Sequence, residues 1–367
     1  MKKFFLTLAV MVMAICASAQ KNQYFWYQGH LMMGNPIAQI DSVTFGEEDT
    51  DSILVYLPRT IIKTVEVHDT VYITIHDTIC PDAISEGALN GEFSVSATKK
   101  VRFSQGNLQF NAALGTHQCA DGTTKQGTWR FAENQYDTIG RANTLISSSY
   151  EGWIDLFAYG TSGWNSGANM YEPWSRSYYH DNFNVGGSSS NDLTGVYAYA
   201  DWGVYNAISN GGDQPSLWRC LSKEEAEYLF YSRPNANNLF GYATVNNVKG
   251  LIILPDNWQA SNNISFTPFT KDFAANIFSL SEWELISSQV VFLPCASVLV
   301  LTNNFGGDSP DEVADEGFYR LSTAGDRTSS TYHINIRVEN NDINLELVDS
   351  YYWRSDGMSV RLVQDVK

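Results

Sequence analysis

The strongest constraint on this chain lies in three separated segments of its C-terminal half: residues 218–230 (WRCLSKEEAEYLF), 290–297 (VVFLPCAS) and 357–363 (GMSVRLV). In the first, Ser222 stands three residues before Glu225, the spacing of a capping box in which each side chain satisfies a backbone group that a helix start leaves open. Ala226, Leu229 and Phe230 then recur at helical spacing, so one face of that helix is apolar and needs a partner. Ser281-Glu282-Trp283-Glu284 repeats the box, with Trp283 and Ile286 available for burial. Residues 290–293 follow as a buried strand that Pro294 ends, and residues 357–363 read as the closing strand. Capping accounts for the acidic clusters at both helix starts, and neither is assigned to catalysis.

The N-terminus sets the expected address. Lys2 and Lys3 precede an apolar run over residues 4–15 and then Ala17-Ser18-Ala19, the small-x-small pattern that a signal peptidase accepts, which predicts a signal peptide over residues 1–19 and a mature chain from Gln20. The run is too short to span a bilayer, and no later stretch approaches the ~20 apolar residues of a transmembrane helix, so export without a helical anchor is expected, to the periplasm, the cell surface or the medium. Ile15 stands before Cys16 where a lipobox wants a small residue, which argues against a lipid anchor. A net charge of −17 argues against nucleic acid or an anionic membrane as partner, since either needs a basic patch. Cys80, Cys119, Cys220 and Cys295 remain after cleavage, too widely spaced for a CxxC redox pair or a zinc knuckle. Two disulfides or buried thiols both stay open; Cys220 and Cys295 interrupt apolar stretches, where cysteine serves as a small core residue.

Residues 20–90 read as a strand-rich spacer, with β-branched and polar residues alternating over residues 61–79. His68-Asp69-Thr70 recurs as His76-Asp77-Thr78, an offset that places equivalent side chains on one face of an extended strand; a duplicated strand explains it without a metal, since nothing nearby completes a ligand set. Asp followed by Ser or Thr and an aliphatic residue occurs around Ser42, Ser52, Thr70, Thr78 and Thr138. This pattern resembles the O-glycosylation acceptor motif of exported Bacteroidetes proteins, and those five hydroxyls are the expected acceptors. The same dipeptides also start turns and strands, a reading that stays open beside it.

The head is expected over residues 91–367. Phe93-Ser94-Val95-Ser96 and Lys100-Val101-Arg102-Phe103 alternate as strands do, with Gly106-Asn107 as a turn signal before Leu108. Trp218-Arg219 with the capped run from Ser222 to Tyr228 resembles an element of formylglycine-generating-enzyme-like domains. Phe292-Leu293-Pro294, Gly317-Phe318-Tyr319 with Ser322-Thr323, and residues 357–363 resemble the order seen in the Fibrobacter succinogenes major paralogous domain and similar secreted Bacteroidetes proteins. The resemblance implies a C-type-lectin-like fold, an α+β arrangement whose long loops display ligand-binding residues. This chain departs from the family at Tyr319-Arg320-Leu321-Ser322-Thr323, where Tyr-Trp-Ser-Ser-Thr is common, and at Cys295-Ala296-Ser297, where Ala-Ala-Gly is common, so no specific ligand carries over.

The catalytic branch of that resemblance holds copper on a closely placed cysteine pair, because thiolates suit a soft monovalent metal. Cys220 and Cys295 have no near partner in sequence, and His117, His180 and His333 stand alone where the related iron enzymes need a histidine cluster. No nucleophile elbow, phosphate-cradling loop or dinucleotide fingerprint is present. The expectation is therefore a non-catalytic binding or adhesion protein; a metal-dependent oxidase and a structural fimbria-associated subunit are the alternatives.

Aromatic residues become dense between Tyr150 and Tyr205, interleaved with Gly, Ser and Asn, a mixture that suits rigid recognition loops. Trp153 and Trp202 have aliphatic neighbours and are expected in the core. Residues 164–179 lack alternation, which selects Trp164, Tyr171, Trp174, Tyr178 and Tyr179 as stacking surfaces for a glycan or a surface protein, with Asp181 and Asn182 orienting polar groups. No cofactor is expected, although Asp181, Asn191 and Asp192 could supply oxygen ligands to calcium.

Overall fold

The computed structural model describes residues 84–259, 264–300, 315–339, 342–348 and 352–366, together with short strands in the first 83 residues. The chain divides into two compact units, Met1–Ala83 and Ile84–Lys367. In the first unit Gln23–Tyr27 pairs antiparallel with His30–Asn35, Leu6–Leu8 with Val43–Phe45, and Tyr56–Leu57 with Thr60–Ile61. The expected acceptors Ser42, Ser52, Thr70 and Thr78, both His-Asp-Thr repeats and Cys80 lie outside the described residues. Among the described residues no helix is long and apolar enough to cross a membrane.

The second unit is a mixed fold in which strands outweigh short helices. Its sheets are small. Ile277–Phe278, Phe240–Val245, Val248–Ile253 and Val291–Pro294 form one in that order, antiparallel except where Ile277–Phe278 joins parallel to Phe240–Val245. Gly317–Ala324, Thr331–Glu339 and Asp342–Val348 form an antiparallel meander. Phe93–Ser94 and Lys100–Phe103 take the strand conformation their alternation predicts, and Val363–Asp365 completes their sheet. The long antiparallel hairpin of Leu108–Gln118 with Thr124–Phe131 stands as its own ribbon.

The three C-terminal segments converge. Leu221, Ala226, Leu229 and Phe230 pack in one core with Val291, Leu293, Cys295 and Val363. Trp218 and Cys220 enter the neighbouring core with Val360 and Leu362, beside Phe110, Trp129 and Trp202. Arg219 and Val363 exchange backbone hydrogen bonds of 3.0 and 2.8 Å, and the Arg219 guanidinium clasps Glu225 and Asp365, each at 2.6 Å. Arg361 is buried and donates to the carbonyls of Ser104, at 3.0 Å, and Phe292, so one side chain ties the last segment to residues 290–297 and to the end of the strand Lys100–Phe103.

The Ser222–Glu225 box forms as predicted: Ser222 Oγ accepts from the Glu225 amide at 3.2 Å, and Glu225 accepts from the Ser222 amide at 3.0 Å. The second box differs. Helix Leu280–Glu284 is capped by Ser279 with Glu282, not by Ser281 with Glu284, because the strand Ile277–Phe278 ends immediately before Ser279 and fixes where the helix begins. Trp283 and Ile286 are buried as expected. The closing strand also lies later than predicted, at Val363–Asp365; Gly357, Met358 and Ser359 make only single bridges, to Leu299, Phe157 and Tyr319. Cys119, Cys220 and Cys295 are all buried free thiols.

Candidate functional site

The site grows from a break in a strand. In Thr124–Phe131 the register against Leu108–Gln118 shifts between Gln126 and Thr128, a bulge centred on Gly127. Gly127 takes φ +99°, and a Cβ there would lie 2.5 Å from the Phe110 ring, so only glycine permits both the turn and the close approach. The bulge aims the Gly127 carbonyl at His117 Nδ1, 2.8 Å away, and leaves Phe110 and Trp129 in contact with ring centroids 4.5 Å apart.

The loop that sequence reasoning singled out covers this hairpin. Gly163 N–H donates to the Tyr171 carbonyl at 2.8 Å, and the Lys125 ammonium reaches up to the Gly163 carbonyl. Trp174 stacks on Phe110 with centroids 6.0 Å apart and planes inclined by 29°. Between hairpin and loop lies a partly open cavity of about 160 Å³, whose lining includes Phe110, Lys125 and Trp129 from the hairpin and Glu172 and Trp174 from the loop. A void of ~150 Å³ holds one six-membered ring, so this cavity has room for a single ring and not for an extended ligand. Gly163 at its rim has φ +93°, and a Cβ there would stand 3.6 Å from Glu172 Oε2 and 3.8 Å from Lys125 Nζ. Gly163→Ala is expected to cost about 1 kcal/mol in stability through that backbone conformation, measurable as a lower urea midpoint.

The cavity's polar groups differ in how well they are engaged. His117 faces Gly127 O and, at 2.9 Å, Asn206 Oδ1, and burial pushes its pKa below the ordinary imidazole value despite both acceptors. Asn206 cannot turn its amide around, because its Nδ2 already donates to the Ser162 and Trp202 carbonyls. Burial raises the Glu172 pKa, with Lys125 opposing. Lys125 Nζ and Glu172 Oε1 are 4.0 Å apart, an ion pair too long for a direct hydrogen bond. Trp129 is 1% exposed and its indole Nε1–H has no acceptor among the described residues.

The predicted residues divide between this cavity and a second cluster. Trp174 lines the cavity, and Tyr171 anchors its rim through the backbone. Trp164 is half-buried and meets Tyr199 edge to face at 5.7 Å, which makes it loop support. Tyr178 packs against Tyr179 at 5.4 Å and Trp353 at 5.6 Å, with His180 5.9 Å from Trp353; Tyr179 is 67% exposed. Asn182 is tied to Ser177 Oγ at 2.7 Å and Asn169 Nδ2 at 3.0 Å, so it braces the loop, while the exposed Asp181 lies 3.4 Å from His180 Nε2.

Of the oxygen donors named for calcium, Asp192 accepts from the Ala324 amide at 2.7 Å and Asn191 donates to the Val185 carbonyl at 2.8 Å. Among the described residues no group of three or more His, Cys, Asp or Glu side chains gathers where a metal could sit. Trp202 is fully buried, whereas Trp153, expected in the core, is half-buried beneath the Arg130 guanidinium, 3.8 Å from its ring centroid. Thr138 is half-buried beside Ile139, whose amide is held by Asp155 at 2.9 Å.

Phe110, Lys125, Trp129 and Glu172 were not singled out from sequence. The available signal was Gly127 inside an otherwise alternating strand, which marks a bulge or a close approach. Comparisons with protein-family models, characterised proteins and solved structures give no match for this chain.

Proposed function

We propose that this chain is an exported, non-catalytic recognition protein whose C-type-lectin-like head binds the terminal ring of a glycan in the cavity beneath Trp174. The observation that carries the reading is the cavity itself: aromatic rings together with a loosely paired ammonium and carboxylate, around room for one ring. Apolar sugar faces stack on indole and phenyl rings while their hydroxyls need mixed donors and acceptors. The acidic spacer with its Asp-Ser/Thr pattern serves in this reading to hold the head away from a surface.

One feature favours binding over the oxidase alternative: Cys220 and Cys295 are free thiols buried in two different hydrophobic clusters, not a closely placed pair. Metal analysis of the purified protein checks this, and stoichiometric copper on either thiol would revive the oxidase.

A glycan array followed by titration of the best hit tests the main reading. Losing an aromatic stacking face removes roughly 1.5–3 kcal/mol of burial, so Trp174→Ala is expected to weaken binding at least tenfold, while Trp164→Ala, which acts only through the loop, weakens it less. Equal affinities for both variants and the parent chain would sink the assignment. The cluster of the exposed Tyr179 with the half-buried Tyr178 and Trp353 supports a second contact, with a surface protein. Tyr179→Ala should then leave sugar binding unchanged and reduce adhesion to cells.

A further inference from the structure

We infer that the cavity beneath Trp174 selects an uncharged pyranose, one ring hydroxyl of which sits between Lys125 and Glu172, and discriminates against sugar acids. This rests on the glycan reading above and specifies its ligand. Lys125 Nζ and Glu172 Oε1 stand 4.0 Å apart. Two hydrogen bonds of ~2.8 Å that meet at one hydroxyl oxygen span ~4–4.5 Å, so the gap has the width of one hydroxyl. A hydroxyl accepts from the ammonium through a lone pair and donates its proton to the carboxylate, a combination that a carboxylate ligand cannot provide.

The protein supplies the matching valences. Lys125 spends one donor on the Gly163 carbonyl, which fixes its direction and leaves two N–H groups. Both side chains are about 30% exposed, at 31% and 29%, so a ligand reaches them without displacing the core. Trp129 adds its indole ring to the lining of the cavity. Charge decides the discrimination: the pair sums to zero, so a sugar carboxylate entering the cavity gains no net attraction, loses its hydration and faces Glu172.

The test uses the full-length chain and matched methyl glycosides: β-D-glucopyranoside against β-D-glucuronide, and β-D-galactopyranoside against the galacturonide, followed by saturation-transfer NMR and calorimetry. A neutral glycoside is expected to bind at least tenfold more tightly than its acid. Glu172→Gln, which keeps size and loses the charge-assisted acceptor, should weaken the neutral sugar about tenfold and narrow the gap to the acid. Lys125→Met is the second variant, with the same loss for the neutral sugar and an even greater loss for the acid. An acid that binds as tightly as its neutral partner, or a Glu172→Gln chain with unchanged affinity, overturns the inference and leaves the glycan reading standing. Absence of binding to every glycoside on the array and in titration overturns the glycan reading itself.

Discussion

Arg361→Leu is expected to lower the unfolding free energy by about 3 kcal/mol, because two buried carbonyls then lose their only strong donor and each such loss costs ~1–3 kcal/mol. Arg361 is 4% exposed and bonds Ser104 O and Phe292 O, which belong to different elements. Burial pushes its pKa down to about 10, still far enough above neutrality for the guanidinium to stay charged. Relief of that unpaired charge works the other way, and the same-shape argument that makes many buried ion pairs replaceable applies only when both partners become apolar. Here the acceptors are backbone and remain. Arg361→Lys should fall between, since one ammonium reaches one carbonyl and cannot fork to both. Urea unfolding reads both values through the midpoint, with the slope unchanged if the native state stays compact. A Leu variant as stable as the parent would mean that apolar packing of Val360 and Leu362, not Arg361, holds the last segment in place.

That arginine lies inside the GMSVRLV segment, and what the sequence could reveal about it was its place, not its partners. Local chemistry was legible. The Ser222–Glu225 box needs only four consecutive residues, so it formed where its spacing placed it. The second helix start was misread by two residues because Ser279-Leu280-Ser281-Glu282-Trp283-Glu284 contains two overlapping frames, each with serine three residues before glutamate. Only the parallel pairing of Ile277–Phe278 with Phe240–Val245, a contact with residues some thirty positions away, selects Ser279. The candidate site was legible in one wall. Composition marked the loop that carries Trp174, yet Trp164 has the same Gly, Ser and Asn neighbours and turns instead against Tyr199. The opposite wall comes from a hairpin whose alternation reads as ordinary core, and whether an indole N–H finds an acceptor depends on three-dimensional neighbours that no spacing encodes.

Three buried groups should make opposing contributions to the pH dependence of stability. Burial raises Asp155 and Asp201 to about 6, opposed for Asp155 by Asn143 and the Ile139 amide and for Asp201 by the Cys220 and Gly203 amides. Both are effectively inaccessible to water. A carboxyl whose folded pKa is raised binds protons more tightly in the native state, so its contribution to stability is full below the unfolded value near 3.8 and is lost as pH rises through about 6. His333 runs the other way: burial, reinforced by Arg320, pushes it to about 4, and its Nε2 has no partner among the described residues. Its contribution is full above the unfolded value of 6.5 and is lost as pH falls through about 4. At one pKa unit per 1.36 kcal/mol, moving from pH 7 to pH 5 gains about 1 kcal/mol for each carboxyl and costs about 2 kcal/mol at the imidazole. The parent chain's dependence on these groups is therefore nearly flat over that window. Removing one side should expose the other. His333→Gln is expected to gain about 2 kcal/mol relative to the parent between pH 7 and pH 5, whatever its stability at pH 7, and Asp155→Asn to lose about 1 kcal/mol over the same interval. Because Asp155 has only donors around it, the amide of Asp155→Asn must face either Ile139 N–H or Asn143 Nδ2, and the variant should also be weaker at every pH. Urea titrations of the three chains at both pH values separate the slope from that offset. Parallel pH dependence in the parent and His333→Gln would show that the imidazole keeps its ordinary proton affinity in the folded state.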